Sequence, residues 1–329
     1  MNQDEPLTPC VHRMTSLGGG HGLYQTLLAA RYCCEPRGVT AVVTVADDGG
    51  SSGRLRRELG QLPPGDLRMA LSALAADDEE GSLWARTLQH RFGGHGALAG
   101  HAVGNLLIAG LCDVLGSPQA ALDMVAKLTR SYGRVMPVCT EPLDIEADVA
   151  GLEHDPRLMR LVRGQVAVAT TPGQVRRVRV VPEKPAANPE VLQALRDADL
   201  ITLGPGSWFS SVIPHLLVPE VVDGLRRTHA RKVLVLNLSA EPGETQGFSS
   251  ERHIHMIRQH APSLVIDHIL VDASSLPSVS ERDFIERAAG GLGARVTFRD
   301  ISQVDEHGRP VPIHDPRKLA DALREIMAY

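Results

Sequence analysis

The chain has 329 residues, 43% of them hydrophobic and 3% aromatic, and a net charge of −5. That length can bury a full core without disulfide or metal staples, while the acidic balance argues against broad nucleic-acid or anionic-membrane surfaces and leaves any phosphate recognition local. Five cysteines without CxxC spacing (Cys10, Cys33, Cys34, Cys112, Cys139), and no stretch apolar enough to cross a bilayer, predict a reduced cytoplasmic protein.

Residues 1–10 read as a leader, with Asp4, Glu5 and Pro6 unlike a signal peptide. A first strand is expected from Val11 to Leu17, ending in Gly18-Gly19-Gly20-His21-Gly22. A helix follows with Leu23, Leu27 and Ala30 on one face. Strand, glycine turn and helix in that order can seat an anion at a helix N-terminus. Leu23 stands where a dinucleotide fingerprint needs its third glycine, and no Gly-Lys-Ser/Thr follows for a P-loop.

The second strand, Thr40 to Ala46, is β-branched and stops at Asp47-Asp48-Gly49-Gly50-Ser51-Ser52-Gly53-Arg54. Two strands flanking a helix should be parallel with a right-handed crossover, so both polar turns fall on one edge of the sheet. Asp66, after Pro63-Pro64-Gly65, reads as an N-cap, and Arg68 in the first turn of that helix opposes its dipole, which points to a ligand or to pairing with Asp66 or Glu58. Ser82 is expected to cap the next helix, and Ser117-Pro118 a later one. Between them, Gly100-His101-Ala102-Val103-Gly104-Asn105 opens a buried apolar helix, where Asn105 and His101 either touch a ligand or are satisfied core polar groups. Residues 67–130 thus form a helical insertion.

From 134 to 182 the texture changes to a β-rich excursion, with extended pieces at 135–140, 143–147, 165–169 and 175–181. A second α/β portion follows. It has a helix at 191–198, a strand at 199–203 ending in Gly204-Pro205-Gly206-Ser207, and a strand at 233–236 ending in Asn237 and a polar turn to 245. Strands at 264–272 and 295–299 come next, and a last helix from Asp315 to Ala328 has Pro316 at its first position. His253, His255 and His260 lack the i, i+4 spacing of a helical zinc site.

Several long motifs carry a resemblance: 17–23, 46–56, 63–68, 100–107, 203–207, 211–217 and 242–248. The chain resembles the gluconeogenesis factor (YvcK-like) family over nearly its whole length. The resemblance implies a Rossmann-like three-layer α/β fold with one domain over 1–329. It implies a protein binding nucleotide sugars such as UDP-N-acetylglucosamine and supporting cell shape and cell-wall synthesis, notably on gluconeogenic carbon. The family is related to 2-phospho-L-lactate transferase (CofD), which uses a divalent metal. Gly49 to Arg54 depart from that relative, so its activity is not carried over. Many members have a basic residue before the His-Asp pair opening the last helix, where this chain has Ile313.

The expected site gathers the polar turns at the carboxyl ends of parallel strands. A diphosphate would lie on the N–H groups of Gly19, Gly20, His21, Gly22, Gly206 and Ser207, with Gly18 and Gly204 in the same turns and Arg54 or Arg68 as counter-charge. Ser51, Ser52, Asp66, Asn105 and Asn237 would face the same cleft. Asp47 and Asp48 would take sugar hydroxyls or a Mg²⁺ ion, the candidate cofactor. A Mg²⁺-dependent phosphotransferase is the alternative function, and a nicotinamide dehydrogenase is disfavoured by the missing glycine. Expected partners are a UDP-sugar or related nucleotide, further copies in a homo-oligomer and cell-wall synthesis proteins, with no nucleic acid and no membrane span.

Overall fold

The computed structural model describes residues 10–155, 158–239, 245, 248–274 and 279–328. Apart from Cys10, the expected leader lies outside them, as do residues 240–244 of the polar turn that follows Asn237.

In chain order, β1 (Met14–Gly18), α1 (Gly20–Cys33) and β2 (Val39–Val43) come first. Helices α2 (Gly50–Leu59), α3 (Gly65–Leu74), α4 (Glu79–Gln89), α5 (Val103–Leu115) and α6 (Pro118–Leu128) intervene before β3 (Gly133–Pro137). Next come β4 (Asp144–Ala150), β5 (Met159–Arg163), α7 (Gln165–Ala169) and β6 (Gln174–Val181). The chain returns through α8 (Pro189–Asp197) to β7 (Leu200–Leu203), a π-helical turn (Trp208–Val212), α9 (Ile213–Leu216) and α10 (Pro219–Arg227). It closes with β8 (Arg231–Val235), α11 (Ser250–His260), β9 (His268–Asp272), α12 (Val279–Gly290), β10 (Arg295–Arg299), a hairpin of β11 (Ser302–Val304) and β12 (Pro310–His314), and α13 (Pro316–Ala328).

The central sheet has seven strands in the order β10-β9-β8-β7-β1-β2-β3. All neighbours are parallel, as expected. Strand order reverses between β1 and β7, so the crevice beyond their carboxyl ends is the switch point where such sheets bind ligands. Helices cover both faces. One core joins Leu17, Val42 and Ile201 to Val191 of α8, Val221 of α10 and Ile257 of α11. The other joins Met14, Ala41 and Val235 to Leu27 of α1, Leu71 of α3 and Leu319 of α13. Polar residues survive in the buried β1 because they pair: Thr202 Oγ1 donates to Ser16 Oγ at 2.9 Å.

Several boundaries differ from the expectation, each for a local reason. The first strand begins at Met14, because the backbone N–H of Arg13 already turns to the Asp199 carboxylate at 2.9 Å. The piece at 135 belongs to the main sheet, since β3 pairs with β2. Asp78 rather than Ser82 caps α4, its carboxylate accepting from Gly81 N–H at 2.8 Å. Residues 165–169 are a short helix, and β5 was not foreseen, although both belong to the antiparallel sheet β5-β4-β6 region as an excursion. Of the three histidines on α11, His260 accepts from Val178 N–H at 3.2 Å and His253 contacts the Ser249 carbonyl at 3.0 Å, both as packing groups.

Candidate functional site

Helix starts set the chemistry of the crevice. The helices α4, α6, α8 and α11 begin with side-chain caps from Asp78, Ser117, Asn188 and Ser249. By contrast, α1, α2, α3 and α5 begin at Gly19, Gly49, Pro64 and Ala102 without a side-chain cap among the described residues. Of these, the start of α1 and Asp66 in the first turn of α3 line the crevice, where the positive end of the α1 dipole favours an anion. Gly20 and Gly206 take φ +54° and +138°, values that a side chain would strain.

A cavity of about 210 Å³ opens there, lined by Gly19, Gly20, His21, Gly22, Thr44, Asp47, Asp66, Gln165, Gly206, Ser207, Ser210 and Ser211. Thr44 Oγ1 and Ser210 Oγ are buried with no partner among the described residues. A second cavity of about 390 Å³ shares His21, Gly22 and Gly206 with it and continues along Gln25, Pro205, Asn237, Leu238, Ser239, Pro312, Ile313 and His314. One cavity is thus polar and the other has an apolar wall, and the two glycine turns form the rim between them.

The turns are held from behind. Asn237 grips Gly206 both ways, accepting from its N–H and donating to its carbonyl, each at 2.9 Å. His215 is fully buried, with Nε2 3.1 Å from the Gly18 carbonyl. Burial pushes its pKa down to about 4, so the ring is neutral and Nε2–H donates.

The carboxylates sort differently from the expectation. Asp47 and Asp48 diverge, as neighbours on an extended chain do. Asp47 lines the cavity, whereas Asp48 accepts from Gln165 N–H and Val166 N–H, both at 2.9 Å. The anticipated Asp47–Asp48 pair is therefore replaced by Asp47 and Asp66, which face one cavity from two elements. Asp66 does not cap α3. Burial, followed by the charge of Asp47, raises its pKa to about 7 against opposing pulls from Gly20 N–H and Arg68. Among the described residues no group of three or more His, Cys, Asp or Glu could hold a metal ion. Two carboxylates still fit Mg²⁺, which keeps waters and takes phosphate oxygens as its other ligands.

The cations also divide. Arg54 is committed to the loop before α5, donating to the Ala97 carbonyl at 2.6 Å and the Ala99 carbonyl at 3.0 Å. Arg68 is 3% exposed, with Nε and Nη1 lacking partners among the described residues, and burial lowers its pKa to about 10. Ser51 sits 2.9 Å from His101 Nδ1 and accepts from Asn105 Nδ2 at 2.9 Å, so these three form a buried network and line neither cavity. Ser52 packs on Gly65, where a Cβ would meet its Oγ at 2.3 Å. Gly18 ends β1, and Gly204 opens the facing turn. Sequence reasoning missed Thr44, Gln165, Ser210 and Ser211. Ser211 opens the 211–217 motif and Ser210 directly precedes it, but Gln165 carried no local signal.

The family profile described as 2-phospho-L-lactate transferase CofD matches residues 14–308. A Mycobacterium tuberculosis protein named as a gluconeogenesis factor is 58% identical over 316 residues, covering 96% of this chain and 90% of its own. The gluconeogenesis factor of Bacillus subtilis is 34% identical over 325 residues, covering 96% and 98%. A crystal structure of a UPF0052-family protein of Bacillus halodurans superposes with a TM-score of 0.82 at 31% identity, covering 94% of this chain and 99% of that one. By sequence and by fold, the chain belongs to the 2-phospho-L-lactate transferase CofD family and lies among relatives named gluconeogenesis factors.

Proposed function

We propose that the protein binds a nucleoside diphosphate sugar of the UDP-N-acetylglucosamine type at the switch point. In this reading it acts as a ligand-sensing regulator that supports cell-wall synthesis and cell shape during gluconeogenic growth, and the name of the Bacillus subtilis relative supports the gluconeogenic part. The observation that carries the reading is the pair of joined cavities rimmed by two glycine turns and uncapped helix starts. The diphosphate lies at the start of α1, beside the Gly206 turn, where the helix dipole favours it. The nucleoside lies against Pro205, Pro312 and Ile313, and the sugar enters the polar cavity. Ile313 supplies an apolar wall, so charge compensation falls to the helix ends.

Calorimetry on the full chain with UDP-N-acetylglucosamine is expected to show binding. Ser211→Ala removes a hydroxyl from the cavity wall, and is expected to weaken binding about tenfold. The absence of heat with every nucleotide sugar tried would sink the reading.

The facing carboxylates Asp47 and Asp66 favour a second reading, a Mg²⁺-dependent phosphotransferase. Bound Mg²⁺ would draw charge from phosphate oxygens there. Incubation with nucleotide sugars and Mg²⁺ decides between the readings: released nucleotide supports the transferase, and intact ligand supports the regulator.

A further inference from the structure

One cavity-lining side chain comes from outside the sheet and its helices. Gln165 starts α7 in the antiparallel excursion, yet it lines the polar cavity opposite the α1 start. It reaches that place through Asp48. Both oxygens of this carboxylate accept from α7, Oδ2 from Gln165 N–H and Oδ1 from Val166 N–H, each at 2.9 Å. The approach is close enough that a Cβ on Gly164 would stand 2.5 Å from Asp48 Oδ2, and Gly164 takes φ +99°. The Gly164 N–H donates to the Ile145 carbonyl at 2.8 Å, and Val168 is fully buried, so α7 is anchored on its own sheet as well.

Resting on the nucleotide-sugar reading above, we propose that Gln165 is a specificity-determining residue that contacts the group carried beyond the diphosphate, and that Asp48 is a positioning residue that holds it over the cavity. The placement argues for the distal group. Gln165 lines the polar cavity, while the apolar one that suits the nucleoside is lined by other residues apart from the shared His21, Gly22 and Gly206. A carboxamide presents a donor and an acceptor in one plane, which matches sugar hydroxyls and an N-acetyl group. Asp47, Asp66 and Ser211 line the same cavity, a polar wall fit for the same hydroxyls.

The test is calorimetric titration of the full chain with UDP and with UDP-N-acetylglucosamine, for wild type, Gln165→Ala, Asp48→Ala, the double variant and Asp48→Asn. Gln165→Ala is expected to weaken the sugar nucleotide about tenfold and to leave UDP within about twofold. Asp48→Ala should reproduce that pattern, the double variant should be no weaker than the weaker single one, and Asp48→Asn should recover part of the affinity through its remaining acceptor. Equal losses for both ligands, no loss with Gln165→Ala, or additive losses in the double variant would each overturn the proposal. If Asp48→Ala does not fold, Gln165→Ala and Asp48→Asn decide alone. A wild-type chain that binds neither probe overturns the nucleotide-sugar reading itself, and a chain that binds UDP and its sugar conjugate equally overturns only the role of Gln165.

Discussion

Gly22→Ala is expected to abolish ligand binding and to destabilise the chain by about 2–4 kcal/mol. An added Cβ would stand 2.2 Å from the Pro205 carbonyl oxygen, 2.5 Å from its carbon and 2.6 Å from Gly206 Cα. All three are backbone atoms, so nothing flexible can yield. The facing turn is itself pinned, by Asn237 on Gly206 and by Thr26 Oγ1 donating to the Gly204 carbonyl at 3.4 Å. The two turns must separate, and the rim between the cavities opens with them. Gly20→Ala is the control: nothing lies within 4 Å of its Cβ, and only the φ of +54° opposes it. It should cost about 1 kcal/mol and keep measurable affinity. Urea denaturation and calorimetry on both variants check the contrast. Equal effects of the two substitutions would show that close turn packing is not what builds the site.

Asp66→Asn has the second large effect, on stability rather than geometry. The folded carboxyl holds its proton up to about pH 7, while its ordinary value is 3.8. Between those values the native state binds more protons than the unfolded chain, so this group's contribution to stability falls as pH rises through the window. Asparagine has no charge to bury. The variant should therefore match wild type near pH 4 and exceed it at pH 8 by an amount on the order of 3 kcal/mol. Buried histidines run the other way. His215, His253 and His314 are lowered to about 4, so they bind fewer protons than the unfolded chain below about pH 6.5, and stability rises with pH there. Only the difference between variant and wild type isolates Asp66. A difference that stays flat from pH 4 to pH 8 would contradict the raised value.

The raised Asp66 carboxyl bears on function too. An acid poised near neutrality beside a second carboxylate is where either a proton or a divalent cation settles. A transferase would use the cation, whereas a sensor gains a binding site that responds to both. If Asp66→Asn leaves nucleotide-sugar binding intact while removing any Mg²⁺ dependence, the carboxylate pair acts as the cation site. Loss of binding without Mg²⁺ places the carboxyl in direct contact with ligand.

Local chemistry made much of this architecture readable in advance. A weak strand pattern ending at Gly18 and a β-branched run ending at Asp47 marked strands that stop at ligand turns, because Gly, Asp and Ser favour turns over strands. A helix between them dictated parallel pairing, and Gly204 to Ser207 after a third such run marked the facing turn. Ser117-Pro118 and Pro316 marked helix starts, since their geometry is pre-set within a few residues. These signals are short-range, and the fold agrees with them.

What lay beyond sequence were choices between equivalent neighbours. Asp47 and Asp48 are the same residue type, and only the packing of α7 and α3 sends one to a backbone cap and the other to the cavity. Arg54 and Arg68 read alike as counter-charges, yet the loop carbonyls of Ala97 and Ala99 engage the first, while the second is buried beside Asp66. Gln165 joins the cavity across 117 residues from Asp48, a separation no local pattern encodes. The sequence by itself determined that strands would end in anion-suited turns, because turn and strand preferences are local. Tertiary structure decided which side chains meet there, because that depends on which elements the two cores bring against the switch point.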